Sequence, residues 1–317
     1  MERDKILYLV VPCYNEEEVL PETAKRLTEK LNALIDSKTV SQDSRIMLVD
    51  DGSKDKTWDI IEKLNNTNKL ISGVKLSRNK GHQFALLAGL MTAKEYADVV
   101  ISLDADLQDD TNAIDAFMEE FYTGHEVVYG VRSKRKADSF FKRFTAEGFY
   151  KIMKVLGVDI VFNHADYRLM SKRVLEHLSE FKEVNLFLRG IVPLIGFKSS
   201  IVTYERNERF AGESKYPLKK MLAFAFDGIT SFSVKPIRFI TSLGVLIFSI
   251  SLLMLIYFLI INLLGRTIQG WTTLICSIWM IGGIQLLCLG VIGEYIGKIY
   301  NEVKARPKYI IDKIIKR

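Results

Sequence analysis

Val99-Val100-Ile101-Ser102-Leu103-Asp104-Ala105-Asp106-Leu107-Gln108-Asp109-Asp110 is the stretch on which the reading of this chain turns. β-formers run up to an Asp-x-Asp pair and then to two further carboxylates. Such a run reads as a buried parallel strand that delivers acids to the carboxyl edge of a sheet, where open α/β folds bind ligands. Two carboxylates one residue apart suit a hard divalent cation, which in turn holds a diphosphate. The competing reading is a polar strand-to-helix turn, with Asp109 or Asp110 capping the next helix. Taken alone, the segment does not separate the two.

The neighbouring segments repeat the pattern. Ile6 to Val11 is an apolar run ending at Pro12-Cys13-Tyr14-Asn15-Glu16-Glu17-Glu18, with a helical pattern of Leu20, Leu27, Leu31 and Leu34 behind it. Ile46 to Val49 ends at Asp50-Asp51-Gly52-Ser53 before another helix. Val74 to Leu76 ends at Arg78-Asn79-Lys80-Gly81-His82-Gln83 before a helix from Phe84 to Tyr96. After Val99 to Leu103 a helix is expected over Thr111 to Tyr122, and Val127 to Val131 is a fifth strand. This β-α alternation with short turns predicts a mostly parallel sheet covered by helices on both faces, with polar residues gathered at one edge. In those turns Asp51 is placed to accept from the imide N–H of a uracil, with Pro12 and Tyr14 as the wall beside the base. The bland alternative for Asp50-Asp51-Gly52-Ser53 is a capped turn. Neither G-x-G-x-x-G nor a Walker loop is present, so a nucleotide would have to be held through a metal and carboxylates.

Composition adds a membrane. Of the 317 residues 48% are hydrophobic, and the excess is concentrated. Neither Phe239 to Leu264 nor Trp271 to Gly293 contains a charge, and each run is long enough to cross a ~30 Å hydrocarbon core as a helix. A buried core helix is the alternative, which two adjacent runs of this length disfavour. The net charge of +6 is distributed to match. The loop from Gly265 to Gly270 carries only Arg266, whereas Lys215, Lys219, Lys220, Lys235 and Arg238 precede the first run and Lys298, Lys304, Arg306, Lys308, Lys313, Lys316 and Arg317 follow the second. The positive-inside rule then predicts a cell-membrane protein with two spans, its large N-terminal domain and both termini cytoplasmic. Met1 to Lys5 precedes only a short apolar run, which is no signal peptide. Basic flanks of this kind suit a membrane lipid surface, and no nucleic-acid motif accompanies them. From Pro217 to Val234 apolar residues recur at helical spacing opposite Lys219 and Lys220, as in a helix lying in the interface. The expected organisation is 1–216 α/β domain, 217–236 interfacial helix, 237–297 spanning hairpin and 298–317 basic tail. Gly282, Gly283, Gly290, Gly293 and Gly297 are placed to pack spans within one chain or between copies. Three scattered cysteines make no disulfide framework, and four histidines show no zinc spacing.

Val11-Pro12-Cys13-Tyr14-Asn15-Glu16, Val49-Asp50-Asp51-Gly52-Ser53, Arg78-Asn79-Lys80-Gly81 and Leu103-Asp104-Ala105-Asp106-Leu107-Gln108, in this order, resemble glycosyltransferase family 2. The terminal hairpin narrows the resemblance to the dolichol-phosphate-mannose-synthase-like branch and its bacterial polyprenyl-phosphate transferases. The resemblance implies a GT-A (Rossmann-like) domain and a Mg²⁺ or Mn²⁺ held by Asp104, Asp106 and Gln108. It places Pro12, Tyr14, Glu16 and Asp51 about the nucleoside and Asn79 and Gln83 near the donor. Asp166 in Asp166-Tyr167-Arg168-Leu169-Met170 would face the transferring sugar, with Asp106 the other catalytic carboxylate. Arg132, Lys142 and Arg143, interleaved with Phe140, Phe141 and Phe144, resemble the branch's lipid-phosphate contacts. Arg209, Ser214 and Lys215 resemble its loop over the donor diphosphate.

The implied reaction moves a hexose, glucose or N-acetylglucosamine, from a UDP-sugar to polyprenyl (undecaprenyl) phosphate with inversion. A phosphate acceptor is already ionised at neutral pH, so positioning and charge neutralisation are the main requirements. Two alternatives stand beside this. A processive polysaccharide synthase would carry a Gln-x-x-Arg-Trp segment where this chain has Asn185-Leu186-Phe187-Leu188-Arg189-Gly190. A non-catalytic assembly or translocation partner would not need the Asp104/Asp106 pair.

Overall fold

The structure is a computed structural model and describes residues 4–132, 164–183, 188–205 and 271–316, with isolated positions between 240 and 260. Its first half follows the expected alternation: β1 (Leu7–Cys13), α1 (Leu20–Asp36), β2 (Arg45–Asp50), α2 (Thr57–Thr67), β3 (Ile71–Leu76), α3 (His82–Ala93), β4 (Val99–Ser102), α4 (Ala113–Tyr122) and β5 (Val127–Arg132). Every residue of β1 and β4 is buried, which is why these strands read as unbroken apolar runs rather than alternating ones. α1 turns Leu20, Ala24, Leu27, Leu31 and Leu34 onto the sheet at helical spacing. Each of these leucines removed from water stabilises the fold by ~1.5–3 kcal/mol.

The second half adds β6 (His164–Ser171), α5 (Lys172–Leu178), α6 (Leu188–Leu194), β7 (Ser199–Tyr204), α7 (Trp271–Lys304) and β8 (Ile311–Ile315). The eight-stranded sheet runs β7-β5-β6-β4-β1-β2-β3-β8. β1 pairs in parallel with β2 and β4, β2 with β3, and β5 with β7, while β6 and β8 run antiparallel to their neighbours. The chain steps outward from β1 to β3, then returns through α3 to place β4 on the other side of β1. This reversal opens a crevice at the carboxyl ends of β1 and β4, the place where open α/β sheets take ligands. β6 enters beside β4 with Ser102 paired to Arg168. Continued by two residues, that register sets Asp166 level with Asp104.

The chain divides into two compact units, one of Met1–Lys151, Asp159–Pro217 and Arg306–Arg317, the other of Ile152–Val158 and Leu218–Ala305. The C-terminal tail is therefore no free basic extension. Its residues Ile311–Ile315 form the edge strand β8 against β3, with Ser77 N–H donating to the Ile310 carbonyl at 2.9 Å. Lys308 Nζ donates to the Phe181 carbonyl at 2.7 Å. The expected interfacial helix lies outside the described residues, as does most of the first uncharged run. The second run begins α7, a 34-residue helix whose last turns carry charges. Among the described residues no helix is long and apolar enough to cross a membrane.

Candidate active site

The turns after β1 and β2 lock into each other before any ligand is considered. Asn15 sits in the left-handed region at φ 52°, which asparagine tolerates well. Its backbone N–H donates to Ser53 Oγ at 3.0 Å, while its Oδ1 accepts from Lys54 N–H at 2.9 Å. Glu16 N–H donates to Thr57 Oγ1 at 2.9 Å. Pro12 is buried at the end of β1, and Tyr14 and Glu16 are half-buried beyond it at the crevice edge. The second turn then holds the third. Asp51, 2% exposed, accepts from the backbone N–H groups of Lys80 (2.7 Å) and Gly81 (2.8 Å). Burial raises its carboxyl above the usual range, and those two hydrogen bonds pull it back. Asp51 thus anchors the Arg78–Gly81 loop, a role the sequence reading did not give it. Asn79 on that loop is exposed.

Beyond β4 burial alternates: Asp104, Asp106, Gln108 and Asp110 are half-buried, whereas Ala105, Leu107 and Asp109 are buried. Asp104, Asp106 and Gln108 therefore all keep partial access to solvent. Leu107 between them holds φ 58°, a conformation that costs a non-glycine residue ~1 kcal/mol or more. Asp106 Oδ1 accepts from Gln108 N–H at 3.2 Å. Asp104 is pushed up to about 6, by burial first and then by the charges of Asp109, Asp166 and Asp106, against the pull of His82. No three His, Cys, Asp or Glu side chains among the described residues form a ready metal cage. A Mg²⁺-like ion does not need one, since it is commonly held by one or two carboxylates, with substrate phosphates and water completing the shell. Hard oxygen donors at an Asp104 whose carboxyl is raised by burial and by neighbouring carboxylates fit such a cation.

Asp166 is provided for differently. Its Oδ1 accepts from Arg168 Nη2 (3.0 Å) and Arg189 Nε (3.2 Å), and its Oδ2 from Arg189 Nη2 (3.1 Å). Gln83 Nε2 and His82 Nε2 each lie 3.5 Å from Oδ2. Ser102 Oγ donates to the Asp166 carbonyl at 2.5 Å. Burial opposes its charge, but Arg189, the His82 hydrogen bond and Arg168 hold the carboxyl well below the usual range. His82 reaches Asp104 Oδ1 at 3.6 Å as well. Burial works against its charging, yet Asp166 and Asp104 raise it to about 9. Asp104, Asp106, Gln83 and Asp166 thus meet in one crevice. His82 and Arg189 belong there too, although no spacing in the sequence marks either.

Asp109 is not a helix cap. It is 4% exposed, and its Oδ1 accepts from Tyr204 Oη (2.5 Å) and Arg132 Nη2 (3.5 Å). Its Oδ2 is buried with no partner among the described residues. Asp110 does serve the turn, accepting from Asn112 N–H at 2.9 Å, but Asn112 occupies the cap of α4. Arg132, at the end of β5, is tied to Asp109 and to Tyr204 Oη at 3.3 Å. Lys142, Arg143, Arg209, Ser214 and Lys215 lie outside the described residues.

The model of the family described as glycosyl transferase family 2 matches residues 8–179, from the second residue of β1 to the end of α5. The chain belongs to glycosyl transferase family 2. This glycosyltransferase is 59% identical over 307 residues to an uncharacterized glycosyltransferase, YkoT, of Bacillus subtilis (strain 168), covering 97% of this chain and 91% of that one. It is 41% identical over 307 residues to the bactoprenol glucosyl transferase of Shigella phage SfII, covering 96% and 97%. Among solved structures, glucosyl-3-phosphoglycerate synthase from Mycobacterium tuberculosis aligns with a TM-score of 0.47 at 16% identity, over 71% of this chain and 76% of that one. The family domain is the GT-A-like α/β sheet described above.

Proposed function

We propose that this glycosyltransferase moves glucose from UDP-glucose to a polyprenyl phosphate, with inversion, at the cytoplasmic face of a membrane. The observation that carries the reading is the shared crevice of an Asp104/Asp106 pair, its Asp104 carboxyl raised by burial and neighbouring carboxylates, and an ionised Asp166 backed by two arginines. Glucose is preferred over N-acetylglucosamine because relatives matching over nearly their whole length are named bactoprenol glucosyl transferases.

In this reading an ionised acceptor phosphate oxygen forms the new bond to the anomeric carbon as the bond to UDP breaks. No proton has to be removed from the nucleophile. Asp166, held ionised, is unsuited to act as an acid, and Oδ1 is filled by two guanidinium donors. It orients the sugar and stabilises positive charge developing at the anomeric carbon, and displacement without a protein nucleophile inverts that centre. Asp104, Asp106 and Gln108 would hold Mg²⁺ or Mn²⁺, which supplies charge neutralisation for the leaving diphosphate. Pro12, Tyr14, Glu16 and Asp51 line the nucleoside side, with Asn79 and Gln83 toward the donor. Arg209, Ser214 and Lys215 would contact the diphosphate, and Arg132, Lys142 and Arg143 would receive the acceptor phosphate. The uncharged runs 239–264 and 271–293, with basic flanks, are read as two spans that keep the domain where a lipid acceptor lies.

The test is release of UDP from UDP-glucose by detergent-purified protein with divalent metal, with and without short-chain polyprenyl phosphate. Lipid-dependent release and a glucosylated lipid product are expected. Release unchanged by the lipid would refute the acceptor, and preference for another sugar in a UDP- and GDP-sugar panel would refute the donor.

A further inference from the structure

Arg189 stands at the second position of α6, and its guanidinium reaches both oxygens of Asp166, a residue 23 positions away on β6. With Arg168 Nη2 on the same oxygen, Oδ1 has two donors and no further lone pair to offer. Oδ2 accepts from Arg189 Nη2 at 3.1 Å, and Gln83 Nε2 and His82 Nε2 approach it at 3.5 Å. The start of α6 is seated by the same neighbours. Gln83 Oε1 accepts from Leu188 N–H at 3.2 Å, and Arg168 Nη1 donates to the Leu188 carbonyl at 3.2 Å. Both peptide groups of Leu188 are therefore tied to side chains that also approach Asp166, and this fixes where the next residue, Arg189, is directed. A planar fork bridging two oxygens fixes the rotation of a carboxylate; a lysine ammonium, a point charge, does not.

We propose that Arg189 is a positioning residue for glycosyl transfer: its fork bridges both oxygens of Asp166 and fixes the rotation of the carboxylate that faces the donor sugar. Arg189 acts on the reaction through Asp166 and not by gripping the donor diphosphate. The proposal rests on the reading of Asp166 as the sugar-facing carboxylate.

The experiment compares wild type, Arg189→Lys and Arg189→Ala for kcat and KM in the lipid-dependent UDP-glucose assay, for UDP affinity by calorimetry, and for melting temperature. Arg189→Ala is also melted in an Asp166→Asn background. Misplacing a reacting group by about an ångström costs on the order of 100-fold, so Arg189→Ala should lower kcat by about that factor. UDP affinity and KM for the donor should stay within about twofold, as expected when only a transition-state interaction is lost. Arg189→Lys should fall between and carries the kinetic arm if the alanine variant does not fold. Removing Arg189 should lower the melting temperature when Asp166 is present and much less in the Asp166→Asn background, because the coupling is to the charge. A loss of UDP affinity with kcat kept would overturn the proposal in favour of diphosphate binding. Unchanged kcat, or equal melting losses in both backgrounds, would overturn it outright. If wild type shows no lipid-dependent transfer, the functional reading fails, and the melting cycle still decides the Arg189–Asp166 coupling.

Discussion

Gly52→Ala is the sharpest test of how the crevice is built. Gly52 holds φ +64°, and a Cβ placed on it would lie 2.5 Å from the Arg78 carbonyl carbon, 2.6 Å from Asn79 N and 2.8 Å from Arg78 Cα. All three are backbone atoms, so no side chain can rotate away. The left-handed conformation costs alanine ~1 kcal/mol relative to glycine. Restoring a 3.4 Å contact moves the Arg78–Asn79 backbone by 3.4 − 2.5 = 0.9 Å. Carried to the next two residues, that shift stretches the Asp51 hydrogen bonds of 2.7 and 2.8 Å past hydrogen-bond length. A hydrogen bond to a charged group contributes ~1.5–3 kcal/mol, so with partial relaxation the total loss is ~3–5 kcal/mol. For a domain of this size that lowers the melting temperature by roughly 10 °C. Gly124→Ala is the control, since φ is +98° there but nothing lies within 4 Å of the added carbon. It should lose only the conformational part, roughly 3 °C. Thermal melts of both variants, with UDP affinity measured alongside, separate the two contributions. Equal melting losses in the two variants, or a Gly52→Ala protein that melts and binds UDP like wild type, would refute the clash argument.

Three further outcomes are expected. Asp106→Asn should abolish metal-dependent transfer, and full turnover in that variant removes Asp106 from the metal site. His82 has a folded-state pKa of about 9, above its ordinary ~6.5, so its stabilisation is complete below ~6.5 and is lost as pH rises through 9. Metal-free wild type should therefore lose melting temperature between those values by more than His82→Gln does, and identical pH profiles would argue against the imidazolium bridge. Removing residues 306–317 strips β8 from β3, exposes that edge and breaks the 2.6 Å Lys313–Glu62 ion pair. A truncated protein that melts like wild type would show that the tail strand is dispensable.

The first five strands and four helices were legible because each is a local pattern: an apolar run, a polar turn, an amphipathic helix. Boundaries moved by a few residues, as when the helix expected from Phe84 began at His82. The strands missed were the ones whose reasons are not local. β6 is antiparallel inside an otherwise parallel run and gives no sequence sign of the change. β8 is short, carries Lys313 and Asp312, and follows a long helix, so it read as a solvated tail. The site divides in the same way. Asp104 and Asp106 were visible from spacing, but Arg189 and His82 acquire meaning only through pairing across 23 and 84 positions, which no periodicity encodes. Nothing local distinguishes Asp109 from a helix cap, because its partner Tyr204 lies 95 residues away.

The two central carboxylates differ in a way that bears on where the proposed cation would sit. Asp104 and Asp166 face the same crevice and share His82, yet their neighbours push them apart. Around Asp104, burial and the charges of Asp109, Asp166 and Asp106 outweigh the pull of His82, and its carboxyl is raised to about 6. Around Asp166 the nearby charges other than His82 are Arg189 and Arg168, and its carboxyl is driven well below the usual range. Carboxylates tuned in opposite directions have different roles: the charge of one is under-compensated, while the other has been given two arginines besides the shared His82. The signs under mutation should be opposite. Asp104→Asn removes an under-compensated charge and should raise the melting temperature of metal-free protein above pH 6, while erasing the stabilisation that added Mn²⁺ gives wild type. Asp166→Asn strands two arginines and should lower it, since removing one partner from a buried pair costs ~3–5 kcal/mol. Its Mn²⁺-induced shift should survive. If Asp166→Asn loses the metal shift and Asp104→Asn keeps it, the assignment of the cation to the Asp-x-Asp pair is wrong.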